Sequence, residues 1–196
     1  CNNEAAWLSR ETAETIARET KGAVTPNDFL PFTENNTKRN TMPHSVTEAI
    51  EAFAKGEIVI VTDDDDRENE GDLICAAIHC TPAKMAFIIR NTCGIVCAPL
   101  SSDTAKRLHL TPMVASNDAP LGTAFTVTVD VKHGLTTGIS AEQRSNTVRA
   151  LANGNMGADD FVRPGHIFPL IAKDGGVLMR SGHTEAAVDL CKLANL

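Results

Sequence analysis

Two short apolar runs enclose an acidic loop in the stretch EIVIVT-DDDDRENEGD-LICAAI, residues 57–78. The first run, residues 57–62, is rich in β-branched side chains, which is typical of a strand covered on both faces. The second run, residues 73–78, predicts another strand. Between them, residues 63–72 hold five Asp and two Glu against one Arg, a net charge of −6. Because like charges at this density repel one another, the loop is either a solvated acidic turn or a site for a cation.

Helix and strand patterns alternate along the chain from this stretch. Ser45 and Glu48 form a capping-box pattern that begins a helix ending at Gly56, and Thr81-Pro82 begins a second helix that continues through Ile89. The remaining patterns predict helices at 102–108, at 141–152 and from about 184, and strands at 94–100, 124–131, 168–172 and 177–180. The last two strands flank Asp174-Gly175-Gly176, which is typical of a hairpin turn. The expected fold class is therefore α+β or mixed α/β, a single domain with a mixed sheet and surrounding helices.

Length and composition restrict the class of protein. The 196 residues suffice for one domain, and we expect an amino-terminal appendage and linker at 1–44 followed by the main domain at 45–196. Only 4% of the residues are aromatic and the net charge is −7, which argues against nucleic-acid binding. No apolar run approaches 18 residues, so no membrane partner is expected. The six cysteines have no C-x-x-C spacing, which favours reduced thiols and a cytoplasmic location.

Carboxylates at the end of a strand suit a hard divalent cation such as Mg²⁺, which takes one or two carboxylates together with water and substrate oxygens. The loop does not fit an EF-hand, because a start at Asp66 places Ala77 where a bidentate Glu is required. A zinc site from Cys75, His79 and Cys80 is disfavoured, since neighbours on a strand point to opposite faces.

Three further segments carry residues suited to chemistry. Residues 180–185 combine a guanidinium, small residues and hydroxyls before a helix, which suits a phosphate or a simple capped turn. Residues 163–166 hold a Pro-Gly bend before His166, which presents either an acid–base group or an exposed turn histidine. Residues 136–141 form a hydroxyl-rich helix entry that binds an anion or caps itself.

Five motifs, in order, closely resemble 3,4-dihydroxy-2-butanone 4-phosphate synthase of riboflavin biosynthesis. They are Asp66-Arg67-Glu68-Asn69-Glu70-Gly71-Asp72, Gly94-Ile95-Val96-Cys97, Thr136-Thr137-Gly138-Ile139-Ser140-Ala141, Arg163-Pro164-Gly165-His166 and Gly182-His183-Thr184-Glu185-Ala186. The resemblance implies a lyase that converts D-ribulose 5-phosphate to 3,4-dihydroxy-2-butanone 4-phosphate and formate. It also implies a homodimer that depends on Mg²⁺ or Mn²⁺, with its active site near the subunit interface.

The same resemblance assigns roles to individual residues. Glu68 and His183 would hold the metal, and His166 would be the acid–base group. Glu70, Asp72 and Cys97 would be the other catalytic residues lining the pocket. The substrate would be bound by Arg67, Glu68, Asp72, Thr137, Arg180, Ser181, Gly182, His183 and Thr184.

Two features depart from the family pattern. The family continues beyond the final helix into a segment with a catalytic Glu, so residues 45–196 resemble a truncated domain from which we expect poor turnover. Smaller departures are Cys93 in place of Ser and Gln143 in place of Asp. The absent Glu favours the alternative of a non-catalytic relative that binds a metal or sugar phosphate. An unrelated sugar-phosphate isomerase is a second alternative, and formate release would separate it from a synthase.

Overall fold

The structure is a computed structural model that describes residues 45–64 and 66–196. The appendage expected at residues 1–44 lies outside the described residues. The helices are α1 (Val46–Ala54), α2 (Pro82–Asn91), α3 (Ser102–Arg107), α4 (Ala141–Ala152) and α5 (His183–Leu193). The strands are β1 (Val59–Thr62), β2 (Gly71–Ile74), β3 (Cys97–Leu100), β4 (Val129–Val131) and β5 (Phe161–Ile171). No helix among these residues is long and apolar enough to cross a membrane.

The helices begin where the local sequence predicts. Ser45 caps α1 by accepting a hydrogen bond from the Glu48 backbone N–H, and the Glu48 carboxylate accepts one from the Ser45 N–H in return. The hydroxyl oxygen of Thr81 caps α2 by accepting the Lys84 N–H, and that of Ser140 caps α4 by accepting the Gln143 N–H. These caps satisfy backbone donors that have no partner within a helix.

The strands form two small sheets. β1 pairs antiparallel with β2, and the acidic loop connects them. The second sheet has the order β3-β5-β4, in which β5 runs parallel to β3 and antiparallel to β4. The expected α+β class with a mixed sheet is confirmed, and the separation of β1 and β2 into their own sheet is an addition to it.

Two hydrophobic clusters hold these elements together. The larger packs α2 and α4 against the three-stranded sheet, with Met85, Leu151 and Phe161 nearly inaccessible to solvent. The smaller cluster joins α1, β1 and α5 through Phe53, Val59 and Leu190. Because α5 shares a cluster with β1, the first residue of α5 lies beside the acidic loop that follows β1.

The predicted hairpin around Asp174-Gly175-Gly176 is wrong. A short 3₁₀ turn, Gly176–Leu178, follows these residues, and no strand is present at 177–180. The Asp189 carboxylate on α5 accepts the Val177 N–H, so this segment folds onto a helix instead of pairing with β5. The strand expected at 168–172 is the end of the longer β5.

Other strand boundaries are shorter than the sequence pattern predicts. The strand expected at 73–78 ends at Ile74, and a 3₁₀ turn occupies Ala77–His79 because the Ala76 carbonyl accepts the His79 N–H. The strand expected at 124–131 is regular only at β4. Pro169 in β5 has no N–H to donate, so the neighbouring stretch forms isolated bridges instead of a ladder.

Candidate functional site

Asp63 organises the acidic loop at the end of β1. Its two carboxylate oxygens accept hydrogen bonds from the Arg67 guanidinium at 2.6 Å, the Glu70 N–H at 3.0 Å and the Glu68 N–H at 3.1 Å. Burial by itself would raise the pKa of Asp63, but these donors outweigh burial and lower the pKa to about 2. The loop is therefore folded around one ionised carboxylate, with Arg67 also bonded to Glu68 at 2.7 Å.

His183, the first residue of α5, faces this loop. Its Nδ1 lies 3.4 Å from Glu68 Oε2 and 3.9 Å from Asp72 Oδ2. Burial is the main reason that the pKa of Asp72 is raised; the His183 charge opposes this, and the charges of Glu68 and Asp63 add to it. The structure thus brings His183 to Glu68 and Asp72, which lie more than 110 residues before it in sequence.

The geometry of this group fits a divalent cation. Asp63, Glu68 and His183 each present a ligand atom, and these atoms lie within 4.8 Å of one another. His183 Nε2 is buried and has no hydrogen-bond partner among residues 45–64 and 66–196. A carboxylate oxygen and an imidazole nitrogen at this separation are ligands that Mg²⁺ or Mn²⁺ accepts.

The segment expected to bind phosphate precedes α5. Arg180 donates to the Glu185 carboxylate at 2.6 Å, to the Thr123 hydroxyl at 3.1 Å and to the Leu121 carbonyl at 3.3 Å. Its guanidinium is thus already bonded, and a 3₁₀ turn rather than the expected strand leads into it. Glu185 is 1% exposed and also accepts the Lys173 N–H at 2.9 Å.

The other residues of this segment surround the start of α5. Gly182 is the N-cap residue and offers no side-chain cap, so the first turn presents backbone N–H groups beside the partial positive charge of the helix terminus. A Cβ at Gly182 would stand 2.2 Å from Arg180 Nη1. Ser181 is exposed and Thr184 is buried.

His166 forms a second group with Asp130 of β4. The Nδ1 nitrogen lies 2.6 Å from Asp130 Oδ2, and the His166 backbone N–H donates to Asp130 Oδ1 at 2.9 Å. Gly138 is buried against this pair, and Thr137 beside it is exposed. Within the described part of the chain, no hydrogen bond or ion pair joins this group to Glu68 or His183.

Cys97 and Glu70 line the first group with different exposure. Cys97 begins β3, and burial together with the nearby charge of Asp72 raises the pKa of its thiol to about 11. The thiol is therefore protonated at neutral pH and is a poor nucleophile. Glu70 is exposed, with its backbone N–H bound to Asp63.

The sequence did not single out three acidic residues that hold the site together. Asp63 binds the loop, Asp130 binds His166 and Glu185 binds Arg180. Asp63 is one of four consecutive Asp residues, so the sequence contains no sign of which one folds the loop. Asp130 lies between two valines in a strand pattern. An acidic residue at a position that should be buried was a usable signal, because a buried charge requires a partner.

This chain is similar in sequence to a known family of enzymes. A family model described as 3,4-dihydroxy-2-butanone 4-phosphate synthase matches residues 47–196. A protein of that name from Helicobacter pylori is 57% identical over 151 residues, which are 77% of this chain and 44% of the relative. The riboflavin biosynthesis protein RibBA of Rhodococcus erythropolis is 56% identical over 78% of this chain and 36% of its own length.

Solved structures agree with these sequence matches. A crystal structure of 3,4-dihydroxy-2-butanone 4-phosphate synthase in complex with two magnesium ions is 49% identical, with a TM-score of 0.76, over 78% of this chain and 71% of that one. The Candida albicans synthase is 53% identical with a TM-score of 0.72, over 78% of this chain and 75% of that one. The chain spans less than half the length of these two curated relatives. Relatives named as enzymes give no support to the alternative of a non-catalytic protein.

Proposed function

The chain belongs to the 3,4-dihydroxy-2-butanone 4-phosphate synthase family, and we propose that it converts D-ribulose 5-phosphate to 3,4-dihydroxy-2-butanone 4-phosphate and formate. The observation that carries the proposal is the junction of the acidic loop with the start of α5. There, ligand atoms lie within 4.8 Å of one another on Asp63, Glu68 and His183. His183 also follows closely after Arg180 and Ser181, the pair that suits a phosphate. A phosphorylated sugar with adjacent oxygens matches both halves of this junction.

Glu68 and His183 are the residues that would hold the cation, Mg²⁺ or Mn²⁺. Asp63 has both oxygens occupied by three donors, which supports a role in shaping the loop. A related synthase crystallised with two magnesium ions also supports a divalent cation. When bound, the cation would draw charge from the carbonyl and hydroxyl oxygens of the substrate and make the neighbouring carbon more acidic.

The chain's own side chains would bind and orient the sugar phosphate. Arg180, fixed by Glu185 at 2.6 Å and bonded also to Leu121 and Thr123, would offer its one remaining N–H, on Nη1, to the phosphate, together with Ser181 and the first turn of α5. Arg67 and Asp72 would contact the sugar hydroxyls. Fixing both ends of a flexible sugar places the carbon beside the carbonyl within reach of a base.

Proton transfers would be carried out by His166, Glu70 and Asp72. A histidine suits this role because its ordinary pKa lies near neutral pH. Asp72 lies 3.9 Å from His183 Nδ1 at the edge of the cation site, which supports a role in moving a proton to or from the substrate. Cys97 is protonated at neutral pH, which supports a role in lining the pocket and donating a hydrogen bond, with Thr137 an additional substrate contact.

Calorimetric titration of the chain with MgCl₂ or MnCl₂, in the presence of ribulose 5-phosphate, tests the cation site. Glu68→Ala and His183→Ala should each abolish the binding heat, whereas Asp66→Ala, an exposed acidic neighbour in the same loop, should retain it. Undiminished binding in both site variants would disprove the assignment.

Formate release tests the reaction itself. The chain with ribulose 5-phosphate and Mg²⁺ should release one formate for each sugar phosphate consumed, and His166→Ala should lower turnover by about 10² to 10⁴. A sugar-phosphate isomerase would consume the substrate without formate. That result would refute the proposed reaction in favour of an isomerisation, but it would not contradict the cation site.

A homodimer with a shared active site is part of the same proposal. Support comes from the lack of a hydrogen bond or ion pair between His166 and the Glu68 group within the described chain, and from Leu178 and Met179, which are exposed large apolar side chains beside the α5 segment. A closed two-fold dimer would cover such a patch twice. We propose a cytoplasmic location on the basis of the five described cysteines, all of which are free.

Mixing two inactive variants tests the shared site. In a hybrid of Glu68→Ala and His166→Ala, one of the two shared sites carries neither substitution. Random mixing should therefore restore about a quarter of the wild-type activity. No restoration, with hybrids demonstrated by mass spectrometry, would place all site residues in one protomer.

A further inference from the structure

Both carboxylate oxygens of Asp130 contact the same residue, His166. Oδ1 accepts the His166 backbone N–H at 2.9 Å, and Oδ2 lies 2.6 Å from His166 Nδ1. The Asp130 side chain is 3% exposed, whereas His166 is 39% exposed. The buried carboxylate thus bonds both the backbone and the Nδ1 side of the His166 ring. The opposite ring nitrogen, Nε2, is left as the accessible one.

The strand pair is distorted to make this contact. Val129 pairs with Ile167 and Asp130 pairs with Val162, so residues 163–166 of β5 bulge out between two neighbouring positions of β4. Gly165 lies against the β4 backbone and its N–H donates to the Thr128 hydroxyl at 3.0 Å. Bulges of this kind redirect a side chain that regular pairing would place elsewhere.

The turn before α4 closes over the same contact. Gly138 has a φ of 87°, and a Cβ there would stand 2.0 Å from Asp130 Oδ2 and 2.6 Å from His166 Nδ1. Gln143 holds this turn in place: its carbonyl oxygen accepts the Gly138 N–H, and its amide donates to the Thr136 hydroxyl at 2.5 Å. The turn therefore shields Asp130 from water.

One further charge acts on this carboxylate. Burial lowers the pKa of Arg144 on α4, and the negative charge of Asp130 opposes that shift. Arg144 Nε is buried without a hydrogen-bond partner among the described residues. Arg144 is thus a cation whose charge the ionised Asp130 balances.

We propose that Asp130 is a positioning residue for His166: it fixes the ring with the proton on Nδ1 and directs unprotonated Nε2 toward the substrate. The identity of the substrate in this proposal rests on the proposed function, whereas the His166 tautomer does not. An ionised carboxylate can only accept, so Nδ1–H must donate to it. Nε2 then carries the lone pair that takes the proton from the carbon beside the carbonyl, and the resulting imidazolium is stabilised by Asp130.

Nitrogen NMR of the chain with ¹⁵N-labelled histidine tests the tautomer without any activity assay. At a pH where the imidazole is neutral, His166 should be protonated at Nδ1, with its signal assigned by its loss in His166→Gln. Asp130→Asn should shift the proton toward Nε2, because the asparagine amide can donate to Nδ1. A wild-type ring protonated at Nε2 would overturn the proposal even where the variant fails to fold.

Turnover supplies the second readout. Asp130→Asn should lower kcat for formate release by about 10² to 10⁴ and change KM by less than about 3-fold. The pH profile of kcat should also change, which a merely structural role would not require. Asp160→Asn is the matched control, since Asp160 makes an Asp–His contact on the surface, to His133 at 3.4 Å, and should leave turnover unchanged. An Asp130→Asn variant with wild-type kcat and pH profile would overturn the proposal. A wild-type chain that releases no formate, but whose His166 ring is protonated at Nδ1, would refute only the proposed reaction.

Discussion

Gly165 should be the position in the β5 bulge that tolerates a side chain least. A Cβ there would stand 2.0 Å from the Val129 carbonyl carbon, 2.3 Å from the Asp130 nitrogen and 2.4 Å from the Val129 oxygen. These are backbone atoms, so no rotamer change relieves the contact. An ordinary contact begins at 3.4 Å, and Gly165→Ala must therefore push the bulge away from β4 by about 1.4 Å.

That movement would break three hydrogen bonds. They run from Gly165 N–H to Thr128, from His166 N–H to Asp130 and from His166 Nδ1 to Asp130, at 3.0, 2.9 and 2.6 Å. One neutral bond and two bonds to a charged group together contribute about 4–7 kcal/mol. With partial relaxation, we expect Gly165→Ala to lower the free energy of unfolding by at least about 3 kcal/mol.

Urea denaturation followed by circular dichroism measures this loss. Gly154→Ala is the matched control, because nothing lies within 4 Å of a Cβ at Gly154, and it should change the free energy of unfolding by less than about 1 kcal/mol in either direction. A Gly165→Ala variant as stable as Gly154→Ala would refute the reasoning, since the bulge could not then lie against the β4 backbone.

Three further outcomes follow from burial and charge. Phe53→Ala should lower the free energy of unfolding by about 3–5 kcal/mol in the same denaturation assay, because Phe53 is fully buried. Cys97, with a pKa of about 11, should react with iodoacetamide at pH 7.5 about one hundredth as fast as an ordinary thiol, and about tenfold faster for each pH unit up to 11, as peptide mapping would show. Arg180→Ala should lower the free energy of unfolding by about 3–5 kcal/mol in the same assay, because it leaves the Glu185 carboxylate buried without a counter-charge.

Helix starts were the most predictable part of the fold. Ser45, Thr81 and Ser140 each cap a helix through the backbone N–H three residues later. Both partners of such a contact lie within one turn of chain, so a short window of sequence contains the whole interaction. The same reasoning explains α4, which spans the expected residues 141–152, whereas α5 begins at His183, one residue before the expected start, and Gly182 supplies no side-chain cap.

The failed hairpin depended on a residue outside the window. Gly175 and Gly176 do adopt positive φ values of 95° and 64°, as a hairpin turn would require. A Cβ at Gly176, however, would stand 2.0 Å from Asp189 Oδ2. The glycine is needed for close approach to α5, and a two-glycine pattern cannot distinguish approach to a helix from a turn between strands.

The candidate site was predictable by residue but not by pairing. The motifs named Glu68, His166, His183 and Arg180, and the structure brings the first and third to within 3.4 Å. The motifs gave no partner for the other two. His166 binds an aspartate 36 residues earlier, and Arg180 binds Glu185. Such pairings depend on how strands and helices pack, which no local pattern encodes.

The charges around α5 give a physical reason for the proposed divalent cation at the acidic loop. Asp63, Glu68 and Asp72 carry three negative charges, of which Arg67 neutralises one through its bonds to Asp63 and Glu68. The start of α5 adds roughly half a positive charge, which leaves an excess of about 1.5 negative charges from these groups. A monovalent ion would leave part of this excess, whereas a divalent ion offsets it and also binds the imidazole. The same helix terminus faces the Arg180 segment, so a cation bound to the loop would strengthen the attraction of that segment for a phosphate.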